Sequence, residues 1–290
     1  MLIISDTMNI RLDTYLSNKI DNMSRSLISK LISNGNILVN NKKVKSSYKI
    51  QVNDEIIINY IEKDNEIKPI NLPIDIIYED EDYVFINKPK GLIVHPGDST
   101  DDYTLVSILK YHYNNYLSDI NGDNRLGIVH RLDKYTSGAL CICKNNNAHM
   151  LFSNLIKEHK VIKKYIAIVD GNITKEYTIN KPIGRNPKNR TKMAIIDDGK
   201  YAITHVKPIN IVGNKTLVEC IIETGRTHQI RVHLKSIGYP VTGDTVYGKK
   251  SSICEGQALH AYSLEFIHPI KNKYMHIVAK PPEYFEKFYK

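Results

Sequence analysis

The sequence predicts an α+β fold: a large unit around a largely antiparallel, mixed central sheet, preceded by a small separate unit. Three observations carry this expectation. Strand-like apolar runs and helical stretches are mixed irregularly, without the steady βα alternation of a parallel sheet. A polar stretch, "IEKDNEIKPINL" at 61–72, divides a leading unit, 1–60, from a longer one, 73–290. At 290 residues the chain is long enough to bury one large core and one small one.

The leading unit begins with helical spacing. In "IRLDTYLSNKI", Leu12, Leu16 and Ile20 recur four apart, as on one helical face. "SRSLISKLISNG" then offers Ser24 as an N-cap, an apolar face of Leu27, Ile28, Leu31 and Ile32, and a stop at Gly35. Two short helices are expected. "NILVNNKKVKSSYKIQVNDEIIINY" reads as strands joined by turns at Asn40-Asn41 and Asn53-Asp54, residues that accept unusual backbone angles.

From Pro73 the pattern changes. "IDIIYEDEDYVFINKPKGLIVHPG" gives two strand-like runs around an acidic turn, then a Pro/Gly-rich loop. Further strands are expected at "LGIVH", "ALCICK", "KKYIAIVDG" and "TLVECIIE", and helices at "TLVSILKYHYNNYL" and "NAHMLFSNLIKEH". No internal repeat is visible.

Composition sets the class. A hydrophobic share of 42% with 24% charged residues is that of a folded globular protein, which excludes a wholly disordered chain. Lysine and arginine outnumber acids 40 to 31, a formal charge of +9 that fits an anionic partner without identifying one. No stretch approaches the roughly 20 apolar residues of a membrane span and the start lacks a signal-peptide layout, so a cytoplasmic protein without membrane attachment is expected. Cys141, Cys143, Cys220 and Cys254 include no C-x-x-C pair and read as reduced thiols, not as a metal or disulfide set.

The chemistry gathers in "GIVHRLDKYTSGALCICKN", 127–145. Residues two apart in an extended segment face the same way, so Arg131 and Asp133 can enter one cleft while His130 and Leu132 point elsewhere. Alone, such a pair is more often a structural ion pair than a reactive one. "THQIRVHLKSIG" reads as a helix with Thr227 at its N-cap, Gly238 past its end and Arg231 in its first turn. Tyr165 shares a strand face with Ala167 and Val169, a place where a lone tyrosine is more often core. "GRNPKNRTKM", 184–193, reads as a loop whose Arg185, Lys188, Arg190 and Lys192 grip phosphates. Asp244, Tyr247, His260 and His268 read as framework, the histidines lacking an evident carboxylate partner.

The motifs taken together are more specific than any one of them. "HRLDKYTSG" (130–138), "KKYIA" (163–167), "TGRTHQIRVH" (224–233), "GYPVTGDTVYG" (238–248) and "LHAYSLEFIHP" (259–269) occur in that order. This set resembles the RluA family of pseudouridine synthases. The leading unit, through Arg11-Leu12-Asp13, Ser24-Arg25, "ISNGNILVN" and "VNDEI", resembles the S4 RNA-binding domain, a small αL-type fold.

The resemblance implies a pseudouridine-synthase fold and isomerisation of uridine within RNA: the N1–C1′ bond breaks, the base turns and C5 joins C1′. No atoms enter or leave, so no cofactor and no metal are expected. By the resemblance Asp133 is the essential carboxylate, either attacking C1′ or taking a proton from C2′, and both routes need it ionised. Burial penalises a charged carboxylate, so a cation beside it is a physical requirement, and Arg231 reaching it bidentately is the candidate. Tyr165 would give the uracil a stacking face and assist proton transfer at C5. The target must be extruded from its stack, and Arg131 would fill the gap. In the leading unit Arg11, Arg25, Lys30 and Lys43 are candidates for phosphate contact. The expected partner is RNA, foremost large-subunit ribosomal RNA, acted on by a monomer. Transfer RNA, and a non-catalytic RNA-binding role in ribosome assembly, are the rival readings.

Overall fold

The chain divides into two units, 1–65 and 66–290. The computed structural model describes residues 1–20, 23–59, 67–97, 103–114 and 116–289. Of the polar stretch expected to link the units, 61–66 lies outside the described residues, whereas Ile67 is already buried in the core of the second unit.

The first unit is built from β1 (Leu2–Ile4), α1 (Leu12–Lys19), α2 (Arg25–Asn34), β2 (Ile37–Val39) and β3 (Glu55–Ile58). The strands pair antiparallel in the order β1-β3-β2. Ser24 caps α2 by accepting the Leu27 N–H, and Gly35, at φ +80°, closes it in the left-handed conformation. Asn40, Asn41 and Asn53 hold φ of 50°, 60° and 68°, the angles their turns require. Leu12, Leu16, Ile28, Ile32, Ile37 and Ile56 bury one side of α1, α2, β2 and β3, with Ile3 of β1 half-buried against them. The pairing of β1 with β3 escaped the sequence reading, because three apolar residues at a chain start carry no period.

The second unit opens with β4 (Ile76–Glu79), β5 (Tyr83–Lys88), α3 (Leu105–Tyr113), β6 (Ser137–Cys143), α4 (Asn146–Lys157) and β7 (Ile162–Asp170). β8 (Tyr177–Asn180), β9 (Ile183–Arg185), β10 (Met193–Ile195), β11 (Ile203–Val212) and β12 (Lys215–Ile222) follow. It closes with α5 (Gln229–Ser236), β13 (Leu259–Ile267) and β14 (Tyr274–Val278). The main sheet runs β4-β5-β6-β13-β7-β12-β11-β8, with β14 beside β13; all its pairs are antiparallel except β13 with β6.

Alternation along β5 and β6 explains why both strands read as continuous apolar runs. Val84, Ile86, Leu140 and Ile142 pack under α3 through Val106 and Leu109. Tyr83, Phe85, Ala139, Cys141 and Cys143 pack on the other face against Phe152 of α4. Cys141, Cys143 and Cys220 are buried free thiols, and Cys254 is half-buried and free. "LGIVH" is not a strand; Ile128 makes one isolated bridge to Ile142. Two tight contacts fix the start of β6. Gly138, at φ +116°, lies where a Cβ would stand 2.2 Å from the Ala261 carbonyl oxygen, so β13 can approach only a glycine there. One residue earlier, the Ser137 hydroxyl meets His260 Nδ1 at 2.9 Å, while His260 Nε2 reaches the Ala279 carbonyl.

Candidate active site

The segment 131–136 is a turn held from every side. The Thr136 N–H returns to the Asp133 carbonyl at 3.0 Å, and the Lys134 carbonyl accepts from the Gly91 N–H at 2.9 Å. Gln257 Nε2 donates to Thr136 Oγ1 at 3.1 Å. Lys88, with its side chain fully buried, donates from Nζ to the carbonyls of Pro89, Leu92 and Lys134. Burial pulls its ammonium down to about 7, opposed by the charge of Asp133. His130 is framework: Nε2 accepts the Cys141 N–H at 2.9 Å, and burial with Lys163 nearby holds it neutral, at about 3.

A hollow of about 80 Å³ opens above this turn, lined among others by Arg131, Asp133, Tyr165, Arg226, His228 and Arg231. Arg131 and Asp133 thus share one pocket although neighbours in the chain alternate; Leu132 between them is buried, in the core beneath α3, and also reaches the pocket wall. Tyr165 projects from β7 into the wall, and burial with the charge of Asp133 pushes its hydroxyl well above the ordinary range, so it stays a neutral phenol.

Arg231 differs from the expectation. Its planar fork is bidentate, but to Asp244: Nε donates to Oδ2 at 2.7 Å and Nη2 to Oδ1 at 2.9 Å. Asp133 receives one bond, from Nη1, at 2.9 Å. The physical reason is burial. Asp244 is wholly enclosed and also accepts the N–H groups of Val246 and Tyr247, so it needs the full fork, whereas the Asp133 side chain keeps 19% of its surface open to the pocket. Burial alone would raise the Asp244 carboxyl, yet Arg231 and the two amides outweigh it and hold it below the carboxylate range. The guanidinium also lies 5.1 Å from the centre of the Tyr247 ring.

The helix start is also shifted. Thr227 is not the cap; His228 is, with φ of 57°, and α5 begins at Gln229. Gln229 sets the turn by accepting the Arg226 N–H and the Thr224 hydroxyl and donating to the Ile203 carbonyl. This left-handed kink turns His228 towards the pocket, where Nδ1 meets the Tyr247 hydroxyl at 2.9 Å and Nε2 stands 3.8 Å from Asp133. Burial, more than the carboxylates can offset, keeps this imidazole below its ordinary value. Sequence reasoning missed His228, Asp244 and Tyr247 as neighbours of Asp133. The signal available was that "THQIR" and "GDTVYG" lie within two of the family-like motifs, the first of which carries Arg231.

The basic candidates are placed as follows. The 184–193 segment is a hairpin rather than a loop: β9 and β10 pair, Met193 opposite Arg185. Lys188 and Arg190 are exposed at its tip, the Arg185 guanidinium is tied to the Arg190 carbonyl, and Lys192 donates to the Val246 carbonyl at 3.1 Å. In the first unit Arg11 and Arg25 both pair with the buried Asp13, at 2.8 and 3.3 Å, leaving about half of each arginine side chain exposed. Lys30 and Lys43 are exposed, and Lys43 crosses Gly35 at the end of α2. His268 corrects the expectation too: it has a carboxylate partner, Asp80 at 3.0 Å, but in a buried framework cluster with Lys271 and Tyr78.

A mixed sheet carries a pocket lined by one carboxylate, one arginine shared with an enclosed acid, and a neutral tyrosine, a set of side chains suited to an enzyme. Residues 82–236 match the model of the RNA pseudouridylate synthase family, and 10–56 match the S4 domain. The chain belongs to the RNA pseudouridylate synthase family and is an isomerase acting on RNA. It is 42% identical to YlyB of Bacillus subtilis, described as an uncharacterized RNA pseudouridine synthase, over 94% of this chain and 91% of that one. It is 39% identical to ribosomal large subunit pseudouridine synthase D of Zymomonas mobilis, over 97% and 93%. The solved structure of human RNA pseudouridylate synthase domain containing 1 superposes with a TM-score of 0.60 at 28% identity, covering 74% of this chain and 86% of that one. Among the described residues no helix is long and apolar enough to cross a membrane.

Proposed function

We propose that this chain isomerises chosen uridines of large-subunit ribosomal RNA, with Asp133 as the reactive carboxylate. The observation that carries this reading is the pocket-facing Asp133 held by a single N–H of Arg231 while Asp244 takes the rest of the fork. An acid so placed has a cation beside it yet remains open on its second oxygen to C1′ or to the C2′ hydrogen. Tyr165, neutral and embedded, offers a flat face against which the extruded uracil stacks. Arg131, exposed at the rim, is suited to fill the vacated stack. Lys188 and Arg190 on the β9–β10 hairpin, with Arg185 and Lys192 behind them, and Arg11, Arg25, Lys30 and Lys43 of the first unit, supply charge for the phosphates. The choice of ribosomal RNA rests on relatives named for the large subunit, 39% identical over 97% of this chain in Zymomonas mobilis and 40% identical over 94% in Buchnera aphidicola, and on this chain's own S4 domain. The reading includes a monomer working in the cytoplasm.

Pseudouridine mapping across total RNA, with and without the gene, tests it. Sites in large-subunit ribosomal RNA should vanish on deletion and return with the wild-type gene but not with Asp133→Asn. Loss confined to transfer RNA would transfer the activity there, and restoration by Asp133→Asn would remove Asp133 from the chemistry.

A further inference from the structure

We infer that Lys163 and Arg226 form a binding site for one phosphodiester of the RNA, beside the base pocket on its Tyr165 side; this rests on the pocket's assignment to a uridine. Lys163 stands two residues before Tyr165 on β7, so both leave the same face of the strand, about 7 Å apart. Across the sheet Lys163 is in register with Ile222 of β12, itself a wall of the pocket. Its residue surface is only 7% exposed. Among the described residues its ammonium has neither a hydrogen-bond acceptor nor an acidic partner.

The other enclosed or neighbouring lysines are satisfied. Lys88 has three carbonyls, and Lys164, next in sequence but on the opposite face, pairs with Glu265 at 2.8 Å. Lys163 instead has a second cation for a neighbour: burial first, and then the charge of Arg226, disfavours its protonated form. Arg226 lines the pocket, and its Nε donates to the Tyr201 carbonyl at 2.9 Å, which fixes the guanidinium and leaves both Nη groups without an acceptor among the described residues. A largely buried lysine without a counter-charge is costly to a fold. That lysine, with a half-buried arginine of the pocket wall beside it and no acid on either among the described residues, is explained by an anion that arrives with the substrate. In an RNA enzyme that anion is a backbone phosphate. The arginine offers a planar fork and the lysine a point charge, together matching the two free oxygens of a phosphodiester.

Pseudouridine formation in RNA extracted from cells lacking the gene reads this site, since every natural target is present there unmodified. Lys163→Met should raise KM about tenfold, keep the saturating rate within about threefold, and flatten log KM against log salt by about 0.7–0.9. Its thermal midpoint should be unchanged or higher, because an unpaired buried charge has been removed. Arg226→Gln, at the pocket rim, should raise KM and flatten the slope in the same way. The double variant should lose less than the product of the two, because one phosphate is lost only once. A Lys163→Met protein with wild-type KM and slope overturns the proposal. So does a lowered midpoint whose KM change Arg226→Gln does not share, since Lys163 would then be a packing element. If the wild-type protein forms no pseudouridine in this RNA, the assignment of the pocket itself fails, a distinct result that takes the phosphate site with it.

Discussion

Replacing Asp244 by asparagine should damage this enzyme in two measurable ways at once. In the wild type the enclosed carboxylate accepts Arg231 Nη2, Val246 N and Tyr247 N on Oδ1, and Arg231 Nε on Oδ2. An asparagine oxygen can keep the three bonds at Oδ1, but its NH₂ group then faces Arg231 Nε across 2.7 Å, donor against donor. Removing one partner of a buried ion pair costs about 3–5 kcal/mol. Asp133 remains as a counter-charge for the guanidinium, so the lower end, about 3 kcal/mol, applies. For a unit of this size that lowers the thermal midpoint by about 6–12 °C. The released arginine also turns its fork onto Asp133, occupying the oxygen that must reach the sugar, and a misplacement of about 1 Å costs about a hundredfold in rate.

Asp133→Asn supplies the contrast. It leaves the Arg231–Asp244 pair intact and removes one of two acids that share a single cation, so the midpoint should hold within about 4 °C, while turnover disappears. Calorimetric melting beside single-turnover pseudouridine formation separates the two variants. An Asp244→Asn protein that melts with the wild type and turns over at its rate would refute the claim that Asp244 positions Arg231.

Arg231→Lys should lose at least about a hundredfold in single-turnover rate, because one ammonium cannot make the three directed N–H bonds that span both carboxylates; a rate near wild type would show that charge alone suffices. In the first unit the Arg11 hydrogen bond, and then Arg25, hold the buried Asp13 carboxyl down at about 2 against an ordinary 3.8. Its contribution of about 1–2 kcal/mol is therefore present above about pH 4 and lost as pH falls towards 2, and amide exchange along α1 should show this loss in the wild type but not in Asp13→Asn. Deleting residues 1–60 should weaken RNA binding and flatten its salt dependence while the rate at saturating RNA holds; an unchanged slope with a collapsed rate would place the leading unit in the chemistry.

Much of the fold could be read from local rules because, where they held, a residue's own chemistry decided the outcome. Ser24 and Gly35 end α2 through caps whose chemistry is set by the residue itself, and the asparagine turns follow from their tolerance of positive φ. What failed depended on long-range packing. "LGIVH" has the composition of a strand, but only Ile128 finds a partner edge, so tertiary context overrides propensity. Thr227 is a good N-cap by type, yet the fold places His228 there with a left-handed backbone, a choice made by the Gln229 bonds to β11 and to the Thr224 turn.

The active site shows the same division. Asp133 and Arg231 are 98 residues apart, and their meeting was legible only because a family pattern ties the two motifs together. Which acid takes the arginine's fork was not legible, since the answer depends on relative burial. Here the Nε–Nη2 edge of the guanidinium faces Asp244, and the wholly enclosed acid gains most from a two-pronged contact, because it has no water to fall back on. Asp133, open to the pocket, is left the single bond. That allotment also suits the role proposed for it: an acid gripped by the full fork would have both oxygens occupied, whereas one held by a single N–H keeps an oxygen open to the pocket. The enclosed Asp244 therefore does more than hold the helix in place. By taking the two-pronged edge of the arginine it leaves Asp133 one N–H and the nearby charge.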